Sequence, residues 1–173
     1  MGMRVVIMVM SRLLSSCFRC PLREFAKYIL LNLVLWRVTI ALHEDGHWIT
    51  ASLLGYRDME VRYSFAGGYI IIHELIRSAS DGFMIGLGGG LWVSLVYIAF
   101  YLVLDWQTDM AEKFLLKAYV LFQSSYAVME ALYGAGYVDL GILSAVSMTI
   151  YPICLYGYLA WLFIHLYVGN RDR

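Results

Sequence analysis

His43 and His47 stand four residues apart in the string His43-Glu44-Asp45-Gly46-His47, and on a helix that spacing puts both imidazoles on one face. Two ring nitrogens so placed can bind one metal ion at about 2.0–2.1 Å. Glu44, next to the first histidine, then reaches the water on the metal rather than the metal itself. A zinc ion lowers the pKa of that water toward about 7, and a neighbouring carboxylate can take its proton during attack on a peptide carbonyl and pass it to the leaving amine. Two surface histidines beside acids would be the bland alternative. It fits poorly, because the motif interrupts an apolar helix, where a charged side chain costs roughly 2.5–3.5 kcal/mol on insertion scales. A metal ion supplies the compensation. Asp45 points away from the two-histidine face, either orienting a histidine or simply solvated. Gly46 costs its helix about 1 kcal/mol relative to alanine and would let a neighbouring helix or a substrate come close.

The elements that must carry these residues are apolar. Residues 83–104 form 22 consecutive uncharged positions, enough at about 1.5 Å each to cross a hydrocarbon core of about 30 Å. Residues 140–164 form a second uncharged run of 25, with Pro152 inside it. A third apolar stretch, roughly 113–135, is broken by Glu130, an isolated intramembrane acid and so a functional candidate. The segment from about 22 to 54 carries the histidines. Between Gly55 and Ile72 the pattern alternates, with Tyr56, Met59, Val61, Tyr63 and Phe65 set against charged and polar neighbours and Gly67-Gly68 as a turn. That period of two predicts a short β-hairpin. The stretch from Asp105 to Lys117 is expected to be a loop.

Composition agrees. Of 173 residues 61% are apolar or aromatic and only 15% charged, against about 45–50% and about 25% in ordinary soluble domains, so a bilayer is the expected solvent. Thirteen basic residues balance thirteen acidic ones, which leaves no basic surplus for nucleic acid. Disorder and collagen-like repeats are excluded by the same numbers. Three cysteines make no disulfide framework, and Cys17 and Cys20 form a lone CxxC best read as incidental thiols. No cleavage site follows the first apolar run, so a removable signal peptide is not expected. The glycines at 86, 88, 89 and 90 lack the lysine and strand of a phosphate loop and read as close helix packing.

The run from His43 to Gly55, His-Glu-Asp-Gly-His-Trp-Ile-Thr-Ala-Ser-Leu-Leu-Gly, matches the pattern HExGHxxxAxxxG, and on this motif the chain resembles the site-2 protease family of intramembrane zinc metalloproteases. The likeness covers about residues 28–142, including the hairpin-like segment and the glycine-rich start of the next helix. It implies Zn2+ held by His43, His47 and a third ligand, the aspartate of an Asn-x-x-Pro-x-x-x-Leu-Asp-Gly motif. Aligned on the acid, that motif meets Ala131, Gly134, Val138, Asp139 and Leu140, so Asp139 is the implied third ligand while the Asn, Pro and Gly are absent. Glu130 and His73 compete for the place. Glu130 has a second reading as partner of Arg37, and His73 as part of an interfacial turn. His165 reads as an interface residue.

The expected architecture is an all-α polytopic membrane protein of about four transmembrane helices with a short β-hairpin after the HExxH helix. It forms a single membrane domain over 1–173, with a basic segment at 1–27, a metalloprotease-like core at 28–142, and a further helix and tail at 143–173. Arg4, Arg12, Arg19, Arg23 and Lys27 put the N-terminus in the cytoplasm by the positive-inside rule, and four crossings return Arg171 and Arg173 to that side. The expected activity is cleavage of peptide bonds in or near transmembrane segments, with a membrane-protein substrate and the lipid bilayer as partners. An oligomer or larger membrane complex stays open. The alternative is a scaffold or assembly subunit that keeps the fold without turnover.

Overall fold

The computed structural model describes residues 3–64, 67–104 and 110–169. The side chains of 3–22 and of parts of the last helix fall outside that description, and with them the expectations for Cys17, Cys20, Pro152 and His165, as do Arg171 and Arg173. The chain runs α1 (Met3–Leu53), β1 (Met59–Tyr63), β2 (Gly68–Ile72), α2 (Ala79–Leu104), α3 (Met110–Gly134) and α4 (Leu140–Gly169). It is mostly helical, with one small antiparallel sheet. Among the described residues two helical stretches, Phe25–Leu53 and Ala79–Val103, are long and apolar enough to cross a membrane.

The basic N-terminal segment does not stand apart but continues into α1 as one helix. The expected loop before α3 is shorter than its polarity suggested: Met110 onward is helical, because Ala111, Glu112, Lys113, Leu115 and Leu116 are all good helix formers despite their charges. The hairpin falls where the alternation predicts it, with Met59 opposite Ile72 and Tyr63 opposite Gly68.

Two glycines end helices. Gly55 adopts a left-handed φ of 87°, with its N–H bonded to the Ser52 carbonyl and the Tyr56 N–H reaching back to Ala51. That is a Schellman motif, and Tyr56, fully buried against Ala51 and Ile85, adds the apolar contact that accompanies it. Gly136 (φ 80°) closes α3 in the same way through Tyr137 and Leu132.

α2 is antiparallel to α1 and lies between α1 and α3. Gly82, Gly86 and Gly90 recur every fourth residue on one face, where an added Cβ would strike the backbone of α3 at Gly134, Glu130 and Gln123. Gly88 and Gly89 point to another face, toward Thr50, His43 and His47 of α1. At the far end from the hairpin the three helices and α4 share a core of Tyr28, Val93, Tyr97, Leu115, Tyr119 and Tyr158. Two of its hydroxyls are tied to α1: Tyr97 lies 2.6 Å from Thr39, with both near the Leu35 carbonyl, and Tyr119 donates to Asn32.

Candidate metal centre

α1 brings His43 and His47 to its α2-facing side, as the four-residue spacing requires, with their rings edge to face at 4.7 Å between centroids. Each imidazole is oriented from behind. His47 Nδ1 lies 2.7 Å from the Ile85 carbonyl oxygen, which can only accept, so this nitrogen carries the proton. His43 Nδ1 lies 3.0 Å from Gln123 Oε1 on α3. In the neutral form of each ring this leaves both Nε2 atoms as lone pairs, and they face each other at 3.1 Å.

Glu130 closes the triangle. Its Oε2 is 3.0 Å from His43 Nε2 and 3.6 Å from His47 Nε2, and Oε1 is 3.2 Å from His43. Oε2 is buried and has no hydrogen-bond partner. Three acceptors converging in a buried space repel one another unless a cation lies between them, and a buried polar atom without a partner signals such a missing group. The edges fit: two ligands bound tetrahedrally at about 2.0–2.1 Å stand about 3.3 Å apart. His43, His47 and Glu130 could thus hold a metal ion, with a fourth position free.

Gly89 explains why the triangle has room. A Cβ on Gly89 would meet the Nε2 atoms of both His47 and His43, at 2.9 Å from the latter. Any side chain there would occupy the space at the mouth of the ligand set. Gly46 serves the same approach from the other side, since its Cβ would strike the Gly88 carbonyl oxygen at 2.6 Å. It is a helix-packing glycine.

The remaining expectations divide. Glu44 is buried and lines the same cavity as the three ligands, with β2 resting on it, so that a Cβ on Gly68 would lie 3.1 Å from its carboxyl carbon. Asp45 points the other way and accepts a hydrogen bond from the Tyr63 hydroxyl at 2.6 Å, tying the hairpin to α1. Arg37 donates to the Ser64 carbonyl in the hairpin turn rather than serving Glu130. Asp139 is not brought to the histidines. α3 has already ended at Gly136, and Asp139 is exposed and caps α4, accepting from the Ile142 N–H at 2.8 Å. Where the family motif implied Asp139, the structure instead brings Glu130, on the last turns of α3, beside the two histidines. His73 is exposed beyond β2 and outside the cluster.

A cavity of about 990 Å³ surrounds the cluster. Its walls include Trp36, Phe122, Tyr126 and Tyr133, and its rim runs along Gly67, Gly68, Tyr69 and Ile70 of the hairpin. Tyr126 lies 5.6 Å from the His43 ring. Gln123, Tyr126 and the Ile85 carbonyl were not visible as site groups in the sequence. The one available signal is that Gln123 and Glu130 are seven apart, two turns of one helix face. No protein-family model, curated protein or solved structure matches this chain.

Proposed function

We propose that the chain is an intramembrane zinc metalloendopeptidase of the site-2 protease type, crossing the membrane four times through α1 to α4 and cutting peptide bonds in or near the transmembrane segments of other proteins. One observation carries this reading: a buried triangle of two imidazole lone pairs and an unpartnered carboxylate oxygen, with a second buried carboxylate, Glu44, in the same cavity.

His43, His47 and Glu130 would hold the ion, and Gln123 with the Ile85 carbonyl keep both imidazoles in the tautomer that ligation needs. Zinc, when bound, supplies a water acidified toward a pKa of about 7 and polarises the carbonyl to be attacked. Glu44 takes a proton as the water oxygen attacks the carbonyl carbon. It then returns that proton to the amide nitrogen as the C–N bond breaks, leaving a free acid and a free amine. Aromatic side chains wall the cavity of about 990 Å³ and the hairpin lies over Glu44, which leaves space beside the ligands for an extended chain.

The test uses the purified full chain with fluorescein-labelled casein in detergent and a doubly tagged single-span helix in vesicles. Cleavage should be lost on chelation and restored by zinc. Glu44→Gln should keep its metal and cleave neither probe; cleavage by that variant would refute the mechanism. The second reading, a scaffold without turnover, is favoured by the direct packing of β2 on Glu44. Metal-loaded wild type that cleaves neither probe would select it.

A further inference from the structure

We infer that the β-hairpin is a hinged cover latched shut over Glu44, and that release of the latch regulates access to the metal site. The inference rests on the proteolytic reading of that site, with Glu44 as the group that moves the proton.

The two ends of the hairpin are held in different ways. At its base, Met59 and Ile72 pack against the buried cluster of Ala51, Tyr56 and Ile85. Polar groups reinforce that anchorage: Glu74 accepts from the N–H groups of Arg57 and Asp58 at 2.6 and 3.0 Å, the His73 N–H bonds the Asp58 carbonyl, and Arg77 reaches the carbonyls of Leu54 and Gly55. The far end of the ladder, Tyr63 opposite Gly68, lies four residues along each strand, or about 13 Å away. There, among the described residues, two side-chain bonds join the hairpin to α1: the Tyr63 hydroxyl donates to Asp45 at 2.6 Å, and Arg37 donates to the Ser64 carbonyl. Both bonds are exposed. A two-stranded hairpin is marginally stable by itself in water, so its position over α1 depends on contacts such as these.

What the hairpin covers is the carboxyl group itself. Glu44 is buried, and β2 lies so close that a Cβ on Gly68 would stand 3.1 Å from its carboxyl carbon and 3.2 Å from Oε1. The absence of a side chain at Gly68 is what lets the strand come down this far. The water whose proton Glu44 takes has to lie about 2.6–3.2 Å from the carboxylate, with the scissile carbonyl next to it. In the shut state β2 occupies part of that space. The cover therefore rises at its latched end while the base stays seated, which makes residues 57–59 and 72–74 the hinge. On this inference the close packing that favours a protein without turnover is the shut state of an enzyme.

The experiment uses the zinc-loaded full chain in detergent, with its three cysteines changed to serine. Opening is read without catalysis, as the rate at which a bulky maleimide labels Ile70→Cys, a cavity position on β2. Adding Tyr63→Phe removes the donor of the latch and keeps the ring. One such hydrogen bond is worth roughly 2- to 12-fold in an equilibrium, so the labelling rate should rise by that factor, as should cleavage of fluorescein-labelled casein by the protein that retains Ile70. Zinc content qualifies each variant, and Asp45→Asn, which weakens the same bond from the acceptor side, replaces Tyr63→Phe if that protein loses its metal. Arg62→Gln, which breaks the exposed pair with Glu60, should change neither rate. In the converse test Asp45→Cys and Tyr63→Cys are bridged by a bifunctional methanethiosulfonate, which should stop cleavage until a phosphine reductant restores it. Unchanged labelling in the latch variant, or full cleavage by the bridged protein, overturns the cover. Faster labelling of a protein that cleaves neither casein nor the single-span helix keeps the cover and removes the protease, whereas zinc- and Glu44-dependent cleavage with unchanged labelling does the opposite.

Discussion

Replacing Glu130 by glutamine should change stability with opposite signs in the metal-free and the metal-bound protein. Without an ion, the wild-type cluster holds a carboxylate oxygen that is buried and unpartnered, 3.0 and 3.6 Å from two imidazole lone pairs. An amide of the same shape removes the charge and turns one acceptor into a donor aimed at those lone pairs. Relieving one buried unsatisfied group is worth about 1–3 kcal/mol, so at a pH where both imidazoles are neutral apo Glu130→Gln should melt at a higher temperature than apo wild type. With zinc the balance reverses. Structural zinc sites bind with about 10–16 kcal/mol shared among four ligands, or about 2.5–4 kcal/mol each, so exchanging an anionic ligand for a weak neutral one should cost about 3 kcal/mol, on the order of 100-fold in affinity.

Asp139→Ala is the matched control. It removes an N-cap, with its side-chain bond to the Ile142 N–H, and should lower stability by about 0.5–2 kcal/mol whether or not the ion is bound. Thermal unfolding in detergent with and without a chelator, together with zinc competition against a chromophoric chelator, measures both quantities. Wild-type zinc affinity in Glu130→Gln, or loss of zinc from Asp139→Ala, would refute the assignment of the third ligand.

Gln123→Leu removes the acceptor behind His43 without changing a charge. It should weaken zinc binding 10–100-fold while leaving the helical circular-dichroism spectrum unchanged. Gly86→Ala places a methyl group against the Glu130 carbonyl, within 2.8 Å of the Ala131 nitrogen, and must push α2 from α3. Overpacking of this kind costs about 1–3 kcal/mol, so the variant should unfold earlier and bind zinc more weakly, both readable in one titrated melt. Glu74 gives a pH dependence outside the membrane segments. The backbone N–H groups of Arg57 and Asp58, with Arg77 beside them, hold its carboxyl below the ordinary value of 4.5. A lowered folded pKa means that the contribution is complete above that value and is lost as pH falls through the lower one. Amide protection at the α1–β1 turn, measured relative to the intrinsic exchange rate at each pH, should therefore fall under acid in wild type, and that acid-dependent step should be absent from Glu74→Gln.

The HExxH helix and the hairpin were legible in the sequence because each depends on local periodicity: four residues per shared helix face, two per strand face. The third ligand was not, since its identity depends on where α3 stops. Gly136 ends that helix in a left-handed turn, and once it does, Asp139 can only belong to the start of α4. A linear alignment on the acid cannot register that break. Which turn of α3 faces the histidines is likewise a tertiary matter, decided by Gly82, Gly86 and Gly90 seating α2 on α3. Glu130 stood out in the sequence for its setting, an acid alone in an apolar helix, and that physical signal pointed to the cluster while its suggested pairing with Arg37 did not. The loop expected up to Lys117 was misplaced for a related reason, as charge near a helix start looks like loop composition although lysine and glutamate favour helix.

The glycines of α2 also determine what the metal can do mechanically. One face of α2 meets α3 backbone to backbone, and another meets α1 through Gly88 and Gly89, so α1 and α3 are brought together with α2 between them. Around the ligands α1 meets α3 through polar groups, His43 with Gln123 and the two histidines with Glu130, while nearer Tyr28 the two helices share the apolar core and the Asn32–Tyr119 bond. Such groups attract only when their protons and charges are complementary, and at the centre of this link three acceptors face one another. A bound cation would convert that repulsion into a tie between the two helices, beside the apolar core they share. Metal-free protein should then keep the α2–α3 and α1–α2 contacts, both of which are glycine-mediated backbone packing, and loosen α1 against α3. Because the hairpin is tied to α1 through Asp45 and Tyr63, movement of α1 would shift β2 over Glu44. An ion bound here would both occupy the site and hold its cover in register.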